Sequence, residues 1–418
     1  MRSVFLIGLA IGAASAQPTP ARPDTVTLAQ AVQEAVDRNL GLLAERFNLS
    51  IADARIITAK LRPNPVFSAG VDDQDFFHTR YYDLSGGPQV NFRVDFTLER
   101  GGKRERRIEV AQQTREVSQL QLLNTTRQLV LDVQNAFVDV LAAKESLQLA
   151  RDNLKAFAGI VEVNAARVRA GDLAQVELVR TRVAALQFQN TVRQAESRLR
   201  LASTRLQSLM GRTAFTAGFD VSGEMRRDPA AFSLDELKAQ AVAQRPDLLA
   251  LRKDEARSAA ELRSQLAQAK MDYTVGSQYH QLYDVGHSTA LSFFFSSPLP
   301  LFNKNQGEIE RARREQEQTQ ARTRAAHAVV DAEARSAWLQ YNTSRELLLS
   351  IEGELLGQAQ EVRNTMEYSY RRGEASLVEF LDAQRAFNDA RQSFNDARAD
   401  YARSLYLMDS ISGKSVTP

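Results

Sequence analysis

The 418-residue chain contains no cysteine. That excludes disulfides, thiolate chemistry and a lipid-modified cysteine behind a leader. No segment carries a sustained basic excess, and the net charge is +2 with both signs interleaved, so nucleic acid is excluded as a partner. There is no phosphate-cradling glycine loop, no nucleophile elbow and no catalytic triad, which leaves no catalytic residue, no cofactor site and no case for an enzyme. The four histidines (His78, His280, His287, His327) and six methionines do not gather at ligand spacing, so no metal site is expected. His78, His280 and His287 fall in or near hairpin segments, where surface loops are their expected home. Past the N-terminus, no segment approaches the ~20 apolar residues of a transmembrane helix.

At the N-terminus, "MRSVFLIGLAIGAASAQ" sets basic Arg2 before an apolar run from Val4 to Ala14 and ends on Ala14-Ser15-Ala16. This is the layout of a cleaved secretory signal over 1–16, too short to span a bilayer. Long stretches rich in Ala, Arg, Gln, Glu and Leu indicate extended helices.

The chain is written twice. "TLAQAVQEAVDRNLGLLA" aligns with "SLDELKAQAVAQRPDLLA", pairing Leu28 with Leu234 and Ala35 with Ala241. "RAGDLAQVELVRTRVA" aligns with "RRGEASLVEFLDAQRA", pairing Gly171 with Gly373 and Glu177 with Glu379. A constant order and a nearly constant offset indicate tandem duplication of one structural unit. The expected organisation is a first repeat over 17–211, a linker over 212–232, a second repeat over 233–413 and a tail over 414–418.

Each copy opens with a short helix (Leu28 to Asn39; Leu234 to Gln244) and a helix of about six turns. A β-hairpin follows. In "QVNFRVDFTL", Val90, Phe92, Val94, Phe96 and Leu98 alternate with polar residues, the length and pattern of a transmembrane β-strand. "TALSFFFSSPL" repeats it with Leu291, Phe293 and Phe295. A soluble half-buried hairpin alternates in the same way, so one strand alone does not separate the two readings. "PVFSAGVDDQ" and "DYTVGSQYHQLY" are the partner strands, and Phe76, Phe77, Tyr81, Tyr82, Tyr279 and Tyr283 suit an interfacial girdle. After the hairpins come very long helices, from about Lys103 to Arg169 and from about Asn305 to Arg371, then a glycine turn and a return helix. A helix of ~67 residues spans roughly 100 Å, and a return helix plus the helix before the hairpin reach roughly 90 Å. One long helix can therefore lie antiparallel to two shorter ones stacked end to end.

An open sheet edge is forbidden in hydrocarbon, and four strands cannot close a barrel. If these strands span a membrane, several chains must pool them. The return helix supplies a matching seam: Phe380, Phe387 and Phe394 fall one heptad apart, with Ala383, Ala390 and Ala397 three residues after each. Small residues let helices approach while Phe knobs fill holes.

The whole mature chain resembles the TolC family of outer-membrane efflux ducts. The likeness rests on the duplicated order, on "AVQEAVDRNLGLLAER" and on "YSYRRGEASLVEFLDAQRAFNDA". "SSPLPLFNKNQGEIERAR" is similar to outer-membrane subunits of heavy-metal (cobalt–zinc–cadmium) resistance systems. The resemblance implies a mainly α fold with a small β part: a homotrimer whose four strands per chain build a shared transmembrane β-barrel, above a periplasmic α-barrel. The implied partners are a periplasmic adaptor protein, an inner-membrane resistance–nodulation–division pump and outer-membrane lipid. It also implies helix-turn tips at Gly171 and Gly373 that dock the adaptor, and a periplasmic gate at Glu379, Asp382, Glu177 and Tyr370. The family's basic residue is missing at Ala375, with Arg371 and Arg372 nearby. Glu379 and Asp382 at i,i+3 share a helix face, and symmetry would gather them into carboxylate rings that attract cations and raise some of their pKa values. The opposing reading is that acids at a helix start only favour its dipole. "ERGGKRERR" is expected to cap a helix start and face solvent or headgroups. The resulting expectation is a passive exit duct for heavy-metal cations. The alternatives are a type I protein-secretion or drug-efflux duct, or a soluble periplasmic coiled-coil scaffold.

Overall fold

The computed structural model describes residues 24–72, 89–216, 218–228, 232–282 and 288–414. The expected signal segment lies outside these residues, as do Phe76, Phe77, His78, Tyr81, Tyr82, Tyr283 and His287. The first half of the chain runs β1 (Asp24–Val26), α1 (Leu28–Arg38), α2 (Leu40–Lys60), β2 (Val66–Asp72), β3 (Gln89–Leu98), α3 (Lys103–Ala170) and α4 (Gln175–Leu209). The second repeats that order as β4 (Phe219–Val221), α5 (Leu234–Gln244), α6 (Pro246–Gln268), β5 (Tyr273–Leu282), β6 (Thr289–Ser296), α7 (Gln306–Ser350), α8 (Leu356–Arg372) and α9 (Leu377–Ser412).

Local chemistry fixes the breaks. Thr27 and Gln30 form a capping box at the start of α1: the Thr27 amide donates to Gln30 Oε1 at 2.9 Å and the Gln30 amide to Thr27 Oγ1 at 3.4 Å, satisfying donors the helix leaves open. Asn39 ends α1 and caps α2, accepting from the Leu42 amide at 3.1 Å,. In the second copy the same break is made by Arg245-Pro246: proline takes the first helical position and holds Arg245 extended, at ψ 122,. The second long helix differs from the expected continuous run, because a π-helical turn at Ile351–Leu355 separates α7 from α8, whereas α3 runs unbroken for 68 residues.

The chain forms two compact units, each drawing on both sequence copies. One comprises residues 1–37, 133–225 and 358–399. Within it α4 runs antiparallel to the second part of α3, joined by Arg205–Asp139 (4.0 Å) and Arg151–Glu196 (3.0 Å). The first part of α9 joins through Arg398–Glu145 (3.0 Å) and Gln384–Asn153 (3.2 Å). A parallel pair of short strands, β1 with β4, lies beside them, with Lys144 on Asp220 at 2.8 Å.

The other unit comprises 38–132, 226–357 and 400–418. Here α2 lies antiparallel to the first part of α3, with Arg115 on Asp53 at 2.6 Å and Arg104 Nε donating to the Lys60 carbonyl at 2.7 Å. The end of α9 packs on α7 through the Tyr341 and Tyr401 rings (5.8 Å) and the Ser344 and Ser404 hydroxyls (3.1 Å). The unit also carries an antiparallel sheet in the order β2-β3-β5-β6.

Candidate transport path and membrane face

The sheet is inside out. Residues directly opposite in a ladder share a face, so Phe67, Val94 and Ser277 lie in one row, and Phe92, Tyr279 and Leu291 in another. This apolar face is open: Phe92, Phe96, Leu291, Phe293 and Phe295 are all exposed. The other face carries Asn91, Arg93, Asp95, Gln278 and His280. Asn91 is buried and donates to Asp72 Oδ2 at 2.7 Å, and Arg93 pairs with Asp95 at 2.8 Å. Arg93 also lies 4.3 Å over the Phe294 ring. Gly276 makes room for this, since a Cβ there would stand 2.1 Å from Asp95 Oδ1. His280 sits within β5, opposite Asn91, not in the loop expected from sequence. Period-2 patterning put it on the strand's polar face, and that signal outweighs a histidine's usual preference for loops. Apolar out and polar in is the arrangement of a strand between lipid and an aqueous lumen. Tyr279 is exposed on the apolar face.

At the helix-proximal end of the sheet, the basic run is stapled in place. Lys103 is buried on Asp272 at 2.7 Å, and Arg107 pairs with Glu99 and donates to the Leu61 carbonyl at 3.2 Å. Only part of the run faces outward, because Lys103 and Arg107 are used to join strands to helices. Arg100 stacks on Tyr273 at 4.4 Å. Tyr273 lies opposite Leu98 on the apolar side, an interfacial aromatic that the sequence reading passed over.

The helix turns are alike in both copies. Gly171 and Gly373 take φ of 86 and 80, a left-handed conformation that any Cβ strains. Each closes its helix with the same pair of hydrogen bonds: Gly171 N to Val168 O and Asp172 N to Arg167 O, and Gly373 N to Tyr370 O and Glu374 N to Ser369 O,. A Cβ on Gly373 would meet the Arg167 guanidinium at 3.3 Å.

Beyond the turns the copies differ. Glu379 is exposed at the start of α9, and its carboxylate accepts from the Ser376 amide (2.7 Å) and hydroxyl (2.8 Å). These bonds hold its pKa below the usual carboxylate range. The shift is downward within one chain; the upward shift expected from crowding belongs to carboxylates gathered from several chains. Asp382, one turn on, is exposed and pairs with Arg385 at 3.3 Å. Glu177 in α4 pairs with Arg180 at 2.8 Å. Arg371 is held by Glu367 (2.6 Å) and Arg372 by Glu374 (3.6 Å), so both basic residues near Ala375 have partners of their own.

Tyr370 differs from these acids in being buried. It is 6% exposed inside an apolar cluster with Phe157, Ile160, Ala184, Leu377 and Phe380. Its ring stacks on Phe380 at 5.5 Å, and its hydroxyl accepts from Asn164 Nδ2 at 2.6 Å. Asn164 also donates to Thr181 Oγ1 at 2.8 Å. Sequence reading missed this knot, although Asn164 stands four residues after Ile160 and seven after Phe157, in line with the buried stripe. Along the seam Phe380, Ala383, Ala390 and Ala397 are buried. Phe387 and Phe394 are half-buried, each covered by a guanidinium, Arg363 at 5.8 Å and Arg398 at 5.6 Å. Among the described residues no cluster of three or more potential ligands could hold a metal ion.

A sheet apolar outside and polar inside, carried on duplicated long-helix hairpins, defines an outer-membrane channel whose strands join a shared barrel and whose helices extend into the periplasm. The chain belongs to the outer membrane efflux protein family, whose model matches residues 31–212 and again 237–414. It is 25% identical over 401 residues to the cobalt-zinc-cadmium resistance protein CzcC of Cupriavidus metallidurans, covering 92% of this chain and 93% of that protein. Its fold is similar to the outer membrane channel CmeC of Campylobacter jejuni (TM-score 0.79, 14% identity, 98% and 94% of the two chains). It is also similar to the transmembrane channel CusC (TM-score 0.75, 17% identity, 96% and 95%). The protein is therefore an efflux channel of the outer membrane, of the kind that serves tripartite systems, and not an enzyme.

Proposed function

We propose that the protein is the passive exit duct for divalent heavy-metal cations in such a system. It would act as a homotrimer with a twelve-stranded barrel, fed by an inner-membrane pump of the resistance–nodulation–division type through a periplasmic adaptor that grips the turns at Gly171 and Gly373. The observation that carries the cargo is the near full-length likeness to a cobalt-zinc-cadmium resistance protein. A passive tube needs no metal site, only an aperture that does not repel its cargo.

Glu379 and Asp382 supply that aperture, with Glu177 beside them on the first-copy turn and Tyr370 bracing the helices behind. Repeated by threefold symmetry, these carboxylates form rings that attract cations and repel anions. The low pKa of Glu379 supports the reading, because the residue stays charged through the neutral and mildly acid range. The test is single-channel recording of Glu379→Ala, Asp382→Ala and the double variant, with zinc or cobalt resistance of cells carrying the cognate pump. Lower cation selectivity and lower resistance are expected. Unchanged selectivity in the double variant rejects the gate, and unchanged resistance on deletion of the duct rejects the cargo.

A further inference from the structure

Directly below the lipid-facing strands, the link from β6 to α7 exposes Leu299, Leu301 and Phe302, the last 91% exposed. Large apolar side chains so far out of a folded surface mark a contact with something apolar. Beside them is a groove of about 600 Å³ whose lining includes Lys270, Met271, Asp272, Leu299, Phe302 and Lys304. Its charge is unbalanced. Asp272 is taken up by Lys103 at 2.7 Å and by the Arg100 amide at 2.9 Å, whereas the Lys270 and Lys304 ammonium groups, both exposed, have no acidic partner among the described residues.

We propose that this groove binds the headgroup of an anionic phospholipid in the periplasmic leaflet of the outer membrane, with its acyl chains lying against Leu299, Leu301 and Phe302. Three observations select a lipid over other occupants. The apolar residues follow closely in the chain on Phe293 and Phe295 of the sheet's exposed apolar face, and are themselves exposed. The groove stands where strands give way to helices, beside the Arg100–Tyr273 stack, so it lies at headgroup depth. Two free ammonium groups next to an apolar wall match a phosphate joined to hydrocarbon chains. The proposal rests on the outer-membrane channel reading and adds to it a lipid class and the residues that bind it.

The test uses the purified full-length channel in a neutral detergent, titrated with phosphatidylglycerol or with phosphatidylcholine of the same chains. Binding is followed by native mass spectrometry and by the melting temperature of the oligomer. Phosphatidylglycerol should bind more tightly and stabilise more. Lys270→Gln/Lys304→Gln should lose that preference by roughly thirtyfold in affinity, about fivefold for each cation removed from an anionic surface. The variant's pores in planar bilayers, compared with wild type, report that it has folded. Equal binding of the two lipids by wild type, or an undiminished preference in the variant, overturns the proposal. So does an oligomer that dissociates in the variant without regard to lipid, since the groove would then be covered by a second copy of the chain. Wild-type protein that opens no pores at all would reject the channel reading as well, which separates that failure from this one.

Discussion

Ser376 caps the helix that Glu379 opens: the amide and hydroxyl of Ser376 both donate to one Glu379 oxygen, at 2.7 and 2.8 Å, and the Glu379 amide returns a bond to Ser376 Oγ at 3.3 Å. The cap leaves room for the aperture proposed above. The cap uses one carboxylate oxygen, fixes the rotamer of Glu379 and stabilises its charged form. The first copy has no such device, because Ala174 stands at the same place with no side-chain bond.

The pH dependence follows in sign. A carboxylate whose folded pKa is depressed stays charged as pH falls through its ordinary value and is neutralised only further down. Cation selectivity of the open channel should therefore persist below pH 4.5, the ordinary value for this side chain. Ser376→Ala removes the hydroxyl bond and should move the loss of selectivity to higher pH. Reversal potentials under a salt gradient, recorded across the acid range, check both. An unmoved midpoint in Ser376→Ala sinks the argument.

Asn164 holds three helices together. It is 0% exposed, and its amide serves Tyr370 in α8 and Thr181 in α4, while its Oδ1 has no partner among the described residues. Tyr370→Phe keeps the stack on Phe380 but strips an acceptor from a buried donor, which costs about 1–3 kcal/mol. Asn164→Leu removes both the donor and the orphan oxygen, so adding Tyr370→Phe to it should cost much less than in the wild-type background. A double-mutant cycle on thermal or denaturant unfolding measures the coupling.

How much of this was legible in the sequence varies with the range of the interactions involved. The sheet faces followed from alternation at Val90–Leu98, because period-2 patterning is a local property of the chain. The helix turns followed from Gly171 and Gly373, because a left-handed residue at a helix end is a local demand. The β1–β4 pair did not: Asp24–Val26 and Phe219–Val221 are three residues each, and parallel pairing across nearly 200 positions leaves no local pattern. The π turn at Ile351–Leu355 was equally hidden, since one extra residue per turn disturbs helical spacing only slightly. At the site, the acids were visible as charges beside a glycine, but the burial of Tyr370 was not. Its partners, Asn164 and Thr181, belong to the other copy, and only packing brings them to it.

The second unit carries a charge network built around two buried arginines. Arg245 (4% exposed side chain) pairs with Asp247 at 2.6 Å and with Glu333 at 2.5 Å. Arg127, also buried, stands 3.9 Å from Asp247 and donates to Ser410 Oγ at 2.9 Å. Burial alone would raise the pKa of Asp247, but the Arg245 hydrogen bond and the charges of Arg245 and Arg127 reverse this and lower it. Its stabilising contribution is therefore present above pH 3.8, the ordinary value, and is lost as pH falls through the lower folded value. Asp247→Ala leaves two buried guanidiniums short of a counter-charge and should cost about 3 kcal/mol at neutral pH. Through this group the melting temperature of wild type should hold down to pH 3.8 and fall below it, and fall less steeply there for Asp247→Asn, whose stability is already reduced at neutral pH.

The two faces of the sheet can be told apart by one substitution on each. Phe293 is 79% exposed on the apolar face of β6. Gln278 is on the polar face of β5, beside Arg93 in the ladder. If the apolar face meets hydrocarbon, Phe293→Arg carries a charge into lipid and costs about 2–4 kcal/mol at mid-bilayer depth. Gln278→Arg puts the same charge in water and should leave assembly intact while lowering cation conductance. The measurement is the yield of heat-modifiable oligomer in the outer-membrane fraction, followed by conductance of whatever assembles. A soluble scaffold predicts a different outcome. On a water-exposed surface Phe293→Arg would be harmless or would improve solubility, and neither variant would fractionate with the membrane. Equal, near-wild-type yields of both variants in the membrane fraction would also reject the assignment of faces, because a barrel wall cannot treat its lipid side and its lumen side alike.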